Sequence, residues 1–255
     1  MCPLCPLCSI NVSSSKTRLD VVLVNRGLAP SRERARALIL AGQVTVDGRV
    51  TDKAGAAIAG DAHVELVTPD HPYVGRGGVK LAHALDVFKI DPTGRRALDV
   101  GASTGGFSDV LLQRGAASVI ALDVGRGQLD WRLRTDARVI VREGVNARAL
   151  TKDDVPHAVS LVTIDVAFIS LRLILPSLPP FLEEGADVVA LVKPQFEAGR
   201  AEVGKHGVVS DPLVHEAVLA RVTDAAGAVG FHRVGMTSSP ITGATGNQEF
   251  FLHLR

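Results

Sequence analysis

Short apolar runs alternate with segments of helical periodicity from residue 96 to the C-terminus. The apolar runs read RALDVGA, SVIALDV, RVIVRE, SLVTIDVAF and DVVALVKPQ, and helical patterns such as FSDVLLQRG lie between them. This alternation predicts a parallel, doubly wound α/β sheet. After the helical segment PLVHEAVLARVTDAAG, the runs FHRVGMTSS and QEFFLHLR follow without a helix between them, which predicts an antiparallel pair at one edge of the sheet.

Residues 17–67 carry a different pattern, which predicts a small α+β domain. TRLDVVLVNRGLA has the spacing of a short helix that ends near Gly27, and PSRERARALILAGQ predicts a second helix capped by Ser31. VTVDGRVT alternates around Asp47-Gly48, a dipeptide typical of tight β-hairpins, and HVELV supplies a final strand. The predicted order is therefore helix, helix, hairpin, strand.

Prolines, glycines and polar residues in TPDHPYVGRGG mark a boundary between the two patterns. We therefore predict a small domain at residues 17–67, a linker at 68–75 and a larger domain at 76–255. Residues 1–16, which contain MCPLCPLC and a run of serines, are predicted to be a disordered leader.

Composition and charge narrow the class of protein only slightly. The 255 residues are 46% hydrophobic and 22% charged with a net charge of +1, which supports a packed core and gives no overall basic character. No apolar run reaches the length of about 18 residues that a membrane helix needs, and the N-terminus lacks the pattern of a signal peptide. We therefore predict a cytoplasmic protein without a membrane segment and without a stable protein partner.

All three cysteines lie in the first eight residues, with C-x2-C-x2-C spacing. A closed tetrahedral zinc site needs four ligands. His63 or His71 could in principle complete the set, but a leader with a duplicated Cys-Pro-Leu triplet is the favoured interpretation. No metal is therefore predicted.

Arginines are concentrated in the small domain, where five occur between Arg26 and Arg49 against two acids. Arg32 and Arg36 are four residues apart and share one face of the second helix. On charge alone this is a solvated helix face. The order helix, helix, G-x-V-x-V-D-G hairpin resembles the S4 RNA-binding domain, however, and that resemblance implies contacts with the phosphates and shape of structured RNA. The candidate RNA-binding residues are Arg18, Arg32, Arg36, Arg49 and Arg76.

The glycine-rich turn LDVGASTGGFSDVLL follows the first strand of the larger domain. Its glycines run G-x-x-x-G-G, so the G-x-G-x-x-G spacing that cradles a dinucleotide pyrophosphate is missing. Asp99 ends the first strand and suits a cationic ligand, and Asp123 ends the next strand, where an acid can bind a ribose diol.

Together DVGASTGGF and ALDVG resemble the S-adenosylmethionine site of class I methyltransferases. That resemblance implies S-adenosylmethionine as cofactor and a Rossmann-like, seven-stranded, mostly parallel sheet. The candidate cofactor-binding residues are Asp99, Gly101, Ser103, Gly105, Gly106, Phe107, Asp123, Asn146 and Asp165.

Four charged residues form the candidate catalytic set: Lys80, Asp165, Lys193 and Glu249. Three of them fall at predicted strand ends, and singly each has an ordinary explanation, such as a surface lysine or a capping aspartate. The K-D-K-E order with D-x-x-F-I-S-L and VKPQFE resembles the FtsJ-type RNA ribose 2′-O-methyltransferases and, with an S4 domain ahead, the TlyA family. The resemblance implies methylation of cytidine ribose in large-subunit ribosomal RNA, in some members also small-subunit RNA, with ribosomal RNA or ribosomal subunits as partners.

The chemistry requires that a ribose hydroxyl lose its proton. An ordinary lysine has a pKa near ~10.4 and is protonated, whereas a second lysine and a dry pocket lower such a pKa toward ~7–8. We therefore expect Lys193 to act as the base or to position the hydroxyl, and Lys80 to disfavour charge on Lys193. Asp165 and Glu249 would orient the two ammonium groups.

Some features fit the resemblance less well. Ala167 stands where the family usually has serine, and the linker sequence HPYV differs from that of some members. Trp131 is predicted to pack rather than stack on a base, and Gly77 and Gly78 to form a flexible passage into the first helix of the larger domain. A membrane-active cytolysin, an RNA-binding factor without chemistry and a base methyltransferase are the competing classes, each less well supported by these motifs.

Overall fold

The computed structural model describes residues 16–67 and 71–255, and the chain divides after Pro72 into two compact units. Residues 1–15, with the cysteines and almost all of the predicted leader, lie outside the described residues. Tyr73, Val74 and Gly75, which were assigned to the linker, belong to the second unit.

The described residues of the first unit form two short helices and five very short strands. Its elements are β1 (Thr17–Arg18), α1 (Leu19–Asn25), α2 (Arg32–Leu40), β2 (Val44–Val46), β3 (Arg49–Val50), β4 (Ala57–Ile58) and β5 (Val64–Leu66). Strands pair in the orders β3-β2-β5 and β1-β4, all antiparallel. The core is apolar and lies between the helices and the sheet, with Leu19, Leu23 and Ile39 fully buried.

Two local predictions for this unit are confirmed. Ser31 caps α2, and its hydroxyl accepts a hydrogen bond from the Arg34 N–H at 3.1 Å. Asp47 and Gly48 both have positive φ, 50° and 76°, as a two-residue hairpin turn of this hand requires.

The second unit alternates strands and helices, as predicted. Its helices are α3 (Gly77–Phe88), α4 (Gly106–Gln113), α5 (Trp131–Arg134), α6 (Pro194–Glu197) and α7 (Pro212–Ala228). Its strands are β6 (Arg96–Val100), β7 (Ser118–Asp123), β8 (Val139–Glu143), β9 (Val159–Ile164), β10 (Leu182–Val192), β11 (Arg233–Ser238) and β12 (Phe250–Leu254). Four single 3-10 turns fill connections, at Leu171–Leu173, Leu175–Ser177, Pro179–Phe181 and Lys205–Gly207.

The seven strands form one sheet in the order β11-β12-β10-β9-β6-β7-β8. Pairs from β10 through β9, β6 and β7 to β8 are parallel, whereas β12 runs antiparallel to both β10 and β11. The predicted fold class and the antiparallel pair at the edge are therefore confirmed. The strand order reverses between β6 and β9, which is where ligands bind in sheets of this kind.

Both faces of the sheet are covered, so its central strands are apolar throughout. Along β10, Val188 and Ala190 belong to the core layer that includes residues of α7, whereas Val189 and Leu191 belong to the layer that includes residues of α3 and α4. Within the described residues, no helix is long and apolar enough to cross a membrane.

Candidate active site

A cavity of about 1530 Å³ opens at the carboxyl ends of the central strands. Its wall combines the turn after β6, the end of β7 and the segments that follow β8, β9 and β10. All four candidate catalytic residues line it, together with these candidate cofactor residues: Gly101, Ser103, Gly106, Phe107, Asp123, Asn146 and Asp165. Asp99 and Gly105 lie outside this lining. A cavity of this size exceeds the usual volume of a small-molecule site, about 300–1,000 Å³, so it has room for more than one ligand.

The four catalytic candidates form two lysine–carboxylate pairs. Lys80 Nζ lies 2.5 Å from Glu249 Oε2, and both side chains are almost fully buried, 10% and 3% exposed. Lys193 Nζ lies 2.6 Å from Asp165 Oδ1, with side chains 15% and 22% exposed. This second contact is an ion pair whose angles are poor for a hydrogen bond, since Oδ1 forms none within the described residues. The expectation that Lys80 tunes Lys193 stays a prediction.

Local sequence explains how each member reaches the cavity. Asp165 and Lys193 are the first residues after β9 and β10, and Glu249 directly precedes β12. Because β12 is antiparallel to β10, the start of β12 lies beside the end of β10. Lys80 is in the first turn of α3 and lines the same cavity.

Close glycine contacts fix the start of α3. Gly78 is buried, and a Cβ there would lie 2.4 Å from the Tyr73 ring. A Cβ on Gly106 would lie 3.0 Å from the backbone nitrogen of Gly78, so the first turns of α3 and α4 touch backbone to backbone. This is a packed helix start rather than the flexible passage expected from the sequence, and Lys80 lies in this turn, two residues after Gly78.

The glycine-rich turn after β6 is shaped by positive φ angles. Gly101 has φ 84°, and a Cβ there would lie 2.3 Å from the backbone oxygen of Asp165. Asp123 braces the turn from β7: its Oδ2 accepts a hydrogen bond from the Ser103 N–H, and its Oδ1 accepts one from the Gly125 N–H, both at 2.7 Å. Asp123 therefore holds two loops at the cavity wall.

Asp99 lies beneath the turn and not at the cavity. It is fully buried, and its carboxylate accepts hydrogen bonds from Ser108 Oγ at 2.6 Å and Thr163 Oγ1 at 3.0 Å. Burial raises the pKa of this carboxyl to about 7. Asp99 thus joins β6 to α4 and β9 below the ligand position, whereas the sequence had made it a candidate for direct contact.

Replacing Asp99 by asparagine should change how stability depends on pH. The raised pKa means that the Asp99 contribution is fully present below the unfolded-state pKa, about 4, and is lost as pH rises through about 7. Asparagine has nearly the same size and does not ionise; its Oδ1 accepts from one hydroxyl, and the other hydroxyl turns to accept from its Nδ2. The free energy of unfolding of Asp99→Asn should therefore gain on that of the wild type by a few kcal/mol between about pH 4 and pH 8. Urea unfolding followed by circular dichroism tests this, and parallel pH curves for the two proteins would contradict it.

The other predicted cofactor-binding residues differ in their surroundings. Asn146 follows β8, and its Oδ1 accepts hydrogen bonds from the N–H and Nε of Arg148. Phe107 is 3% exposed and supports the wall from within the core, and Gly105 packs against Leu129 and Leu133, away from the cavity.

Glu197 is a buried carboxylate that the sequence analysis left without a role. Its Oε2 accepts a hydrogen bond from Ser170 Oγ at 2.6 Å and its Oε1 accepts one from the Leu171 N–H at 2.7 Å. Burial raises its pKa. Glu197 thereby ties α6, which follows Lys193, to the segment that follows Asp165. Its position in the VKPQFE motif was the sequence signal that could have indicated a role for Glu197.

Two aromatic side chains are unusually exposed. Phe168 lines the cavity, is 91% exposed, has φ 63° and lies 5.2 Å from the ring of Phe196. Trp131 on α5 is 71% exposed, so the prediction that it packs in the interior is wrong.

The RNA-binding candidates occupy different surroundings. Arg76 is exposed, precedes α3 and lines the cavity, and Arg49 is exposed on β3. Arg18, Arg32 and Arg36 converge on one acid of the first unit and are described below.

Comparison with known families divides the chain in two. A family profile described as FtsJ-like methyltransferase matches residues 73–255, and one described as S4 domain matches residues 17–62.

Individual relatives match along nearly the whole chain. The 16S/23S rRNA (cytidine-2′-O)-methyltransferase TlyA of Mycobacterium tuberculosis is 48% identical over 241 residues, which is 94% of this chain and 90% of the relative. Hemolysin A of Brachyspira hyodysenteriae is 42% identical over 92% of this chain and 98% of its own. A solved structure from Streptococcus thermophilus, provisionally named a hemolysin, has a TM-score of 0.74 at 45% identity and covers 95% of this chain and 89% of its own.

Proposed function

Because the chain belongs to the FtsJ-like methyltransferase family and carries an S4 domain, we propose that it transfers a methyl group from S-adenosylmethionine to the ribose 2′-hydroxyl of cytidine in ribosomal RNA. The 23S RNA is the proposed target, with the 16S RNA as a second one, in line with the name of the M. tuberculosis relative. Its partners would then be ribosomal RNA or ribosomal subunits in the cytoplasm. The observation that carries the proposal is the placement of two lysine–carboxylate pairs on one cavity wall beside a glycine-rich turn.

The polar groups that line the cavity fit the proposed cofactor. S-adenosylmethionine, when bound, supplies a methyl group on a positively charged sulfur, which an oxygen nucleophile can attack. Asp123 would bind the cofactor ribose and Asn146 the adenine edge, with backbone groups of Gly101 and Ser103 completing the contact. Asp165 adds a second carboxylate on the wall, as a ligand that carries an ammonium and a sulfonium requires.

Lys193 is the group proposed to act on the 2′-hydroxyl. Its Nζ either takes the hydroxyl proton or holds the hydroxyl in line for attack, and Asp165 Oδ1, 2.6 Å away, fixes the direction of the amine. Positioning of this kind contributes strongly even without proton transfer.

Lys80 and Glu249 supply the second, more deeply buried pair. Their contact at 2.5 Å holds the lysine at the cavity wall without leaving either charge unpaired. We assign to Lys80 a contact with the hydroxyl or a neighbouring phosphate of the substrate.

Three arginines line the cavity and suit an RNA backbone. Arg76, Arg148 and Arg200 all contribute to the wall, and none of them forms an ion pair within residues 16–67 and 71–255. Guanidinium groups bind phosphate well because their N–H donors match its oxygens. The first unit would add further phosphate contacts through its S4 domain.

Nucleoside mass spectrometry of ribosomal RNA from cells with and without the gene tests the proposal. The account predicts that one or more 2′-O-methylcytidines disappear when the gene is removed and return when it is restored. Ribosomal RNA with unchanged ribose methylation would reject the proposed substrate.

A further inference from the structure

Asp20 is a fully buried carboxylate that contacts three arginines in the first unit. Arg18 binds it with two donors, Nε to Oδ1 and Nη2 to Oδ2, both at 3.0 Å. Arg32 Nη2 lies 3.1 Å and Arg36 Nε 3.2 Å from Oδ2. Asp20 is 0% exposed, so one hidden negative charge connects the start of α1 with one face of α2.

The arginines keep Asp20 ionised. Hydrogen bonds from Arg18, then from Arg32 and Arg36, hold the pKa of this carboxyl well below its usual range in spite of its burial. Its backbone N–H is also fixed, since it donates to the Ala54 carbonyl at 3.1 Å. The carboxylate is therefore an ionised anchor that hydrogen bonds hold in place.

The three arginines retain most of their own binding capacity. Their side chains are 49%, 54% and 54% exposed, in the order Arg18, Arg32 and Arg36. A guanidinium has five N–H donors, and Asp20 occupies two from Arg18 and one from each of the others. Three positive charges thus surround one negative charge, with free donors at the surface.

We propose that Asp20 is the positioning residue of a single phosphate-binding site formed by Arg18, Arg32 and Arg36, which takes the backbone phosphates of structured RNA. The identity of the partner as RNA rests on the function proposed above. Long arginine side chains lose rotamer freedom when they bind, and an anchor that orders them beforehand reduces that loss. The three arginines then act as one unit rather than as independent surface charges.

Removing the Asp20 carboxylate distinguishes an arginine site that Asp20 orders from three arginines that act independently. Asp20→Asn makes the first unit more positive, so independent arginines would bind RNA more tightly. The anchor predicts the reverse: filter binding of the full chain to 23S RNA transcribed in vitro should weaken about fivefold or more. The slope of log affinity against log salt should also become shallower, by about 0.7–0.9 for each phosphate that the variant no longer binds.

Asp52→Asn is the matched control, because Asp52 is an exposed acid of the same unit and the charge change is identical. It should bind the RNA as tightly as the wild type or slightly more tightly. Asp20→Asn binding as tightly as Asp52→Asn would overturn the proposal. A wild-type chain that binds neither 23S RNA nor large ribosomal subunits would instead reject the proposed function itself.

A charge-conserving variant keeps the test decisive if Asp20→Asn does not fold. Arg36→Lys retains the positive charge but loses the planar fork, and it should weaken RNA binding about threefold. Arg26 is an exposed arginine of the same unit that donates to the Gly60 and Ala62 carbonyls, and Arg26→Lys should stay within about twofold of the wild type. Circular dichroism melts show whether each variant is folded at the assay temperature. Equal binding by Arg36→Lys and Arg26→Lys would contradict an ordered arginine site.

Discussion

Alanine at Lys193 is expected to reduce methyl transfer about 10²–10⁴-fold, the range that a positioned proton-transfer group contributes. The loss follows because Lys193 Nζ lies 2.6 Å from Asp165 Oδ1 and, among the described residues, no other lysine forms an ion pair with Asp165. S-adenosylmethionine affinity should stay within a few-fold of the wild type, since the candidate cofactor contacts belong mainly to the turn after β6 and to β7.

Single-turnover methylation of 23S RNA with labelled S-adenosylmethionine, beside a calorimetric titration of the cofactor, measures both quantities. Lys152→Ala is the matched control, because Lys152 is an exposed lysine of the same unit. It should leave the rate unchanged. Turnover by Lys193→Ala close to that of Lys152→Ala would remove Lys193 from the chemistry.

Methionine at Lys80 is expected to abolish transfer and to destabilise the second unit by about 3–5 kcal/mol, as the removal of one partner from a buried ion pair does. The Lys80 and Glu249 side chains are 10% and 3% exposed, so Lys80→Met leaves a carboxylate buried without its counter-charge. Urea unfolding measures the stability, and the methylation assay measures the activity.

The double variant Lys80→Met/Glu249→Gln separates stability from chemistry. Glutamine removes the uncompensated charge, so the double variant should recover most of the missing free energy of unfolding while remaining inactive. A double variant as unstable as Lys80→Met alone would show that packing, and not the ion pair, accounts for the destabilisation. Recovered methylation would contradict the role given to Lys80.

The local pattern of apolar and polar residues was enough to predict much of the fold. The strands of the larger unit follow from apolar runs because both faces of a parallel sheet are buried. The hairpin at Asp47-Gly48 follows from residues that accept positive φ. The order of the catalytic candidates along the chain also placed three of them at strand ends, since strand ends in such a sheet share one edge.

Contacts between residues far apart in the chain could not be predicted from the local sequence pattern. Lys80 and Glu249 are separated by 169 positions in the chain, and nothing in the sequence specifies that Lys80 pairs with Glu249 and Lys193 with Asp165. The burial of Asp99 beneath its own turn depends on Ser108 and Thr163, which belong to other elements.

Side-chain surroundings explain the other differences. Trp131 is exposed because the short helix α5 places it away from the core, although tryptophan is usually a core or interface residue. On charge alone the basic face of α2 is a solvated surface, and the S4 resemblance made Arg32 and Arg36 candidates for RNA binding. Only the three-dimensional arrangement shows that both contact the buried Asp20.

The most direct test of the central claim is methylation by the purified chain itself. Unmodified 23S RNA and, in parallel, large ribosomal subunits that contain it are incubated with S-adenosylmethionine carrying a labelled methyl group. The RNA of each is then digested to nucleosides and analysed by mass spectrometry. The account predicts label in 2′-O-methylcytidine with the wild type and none with Lys193→Ala. Label on a base, or no label in the RNA of either substrate from a folded wild-type protein that binds S-adenosylmethionine, would contradict it.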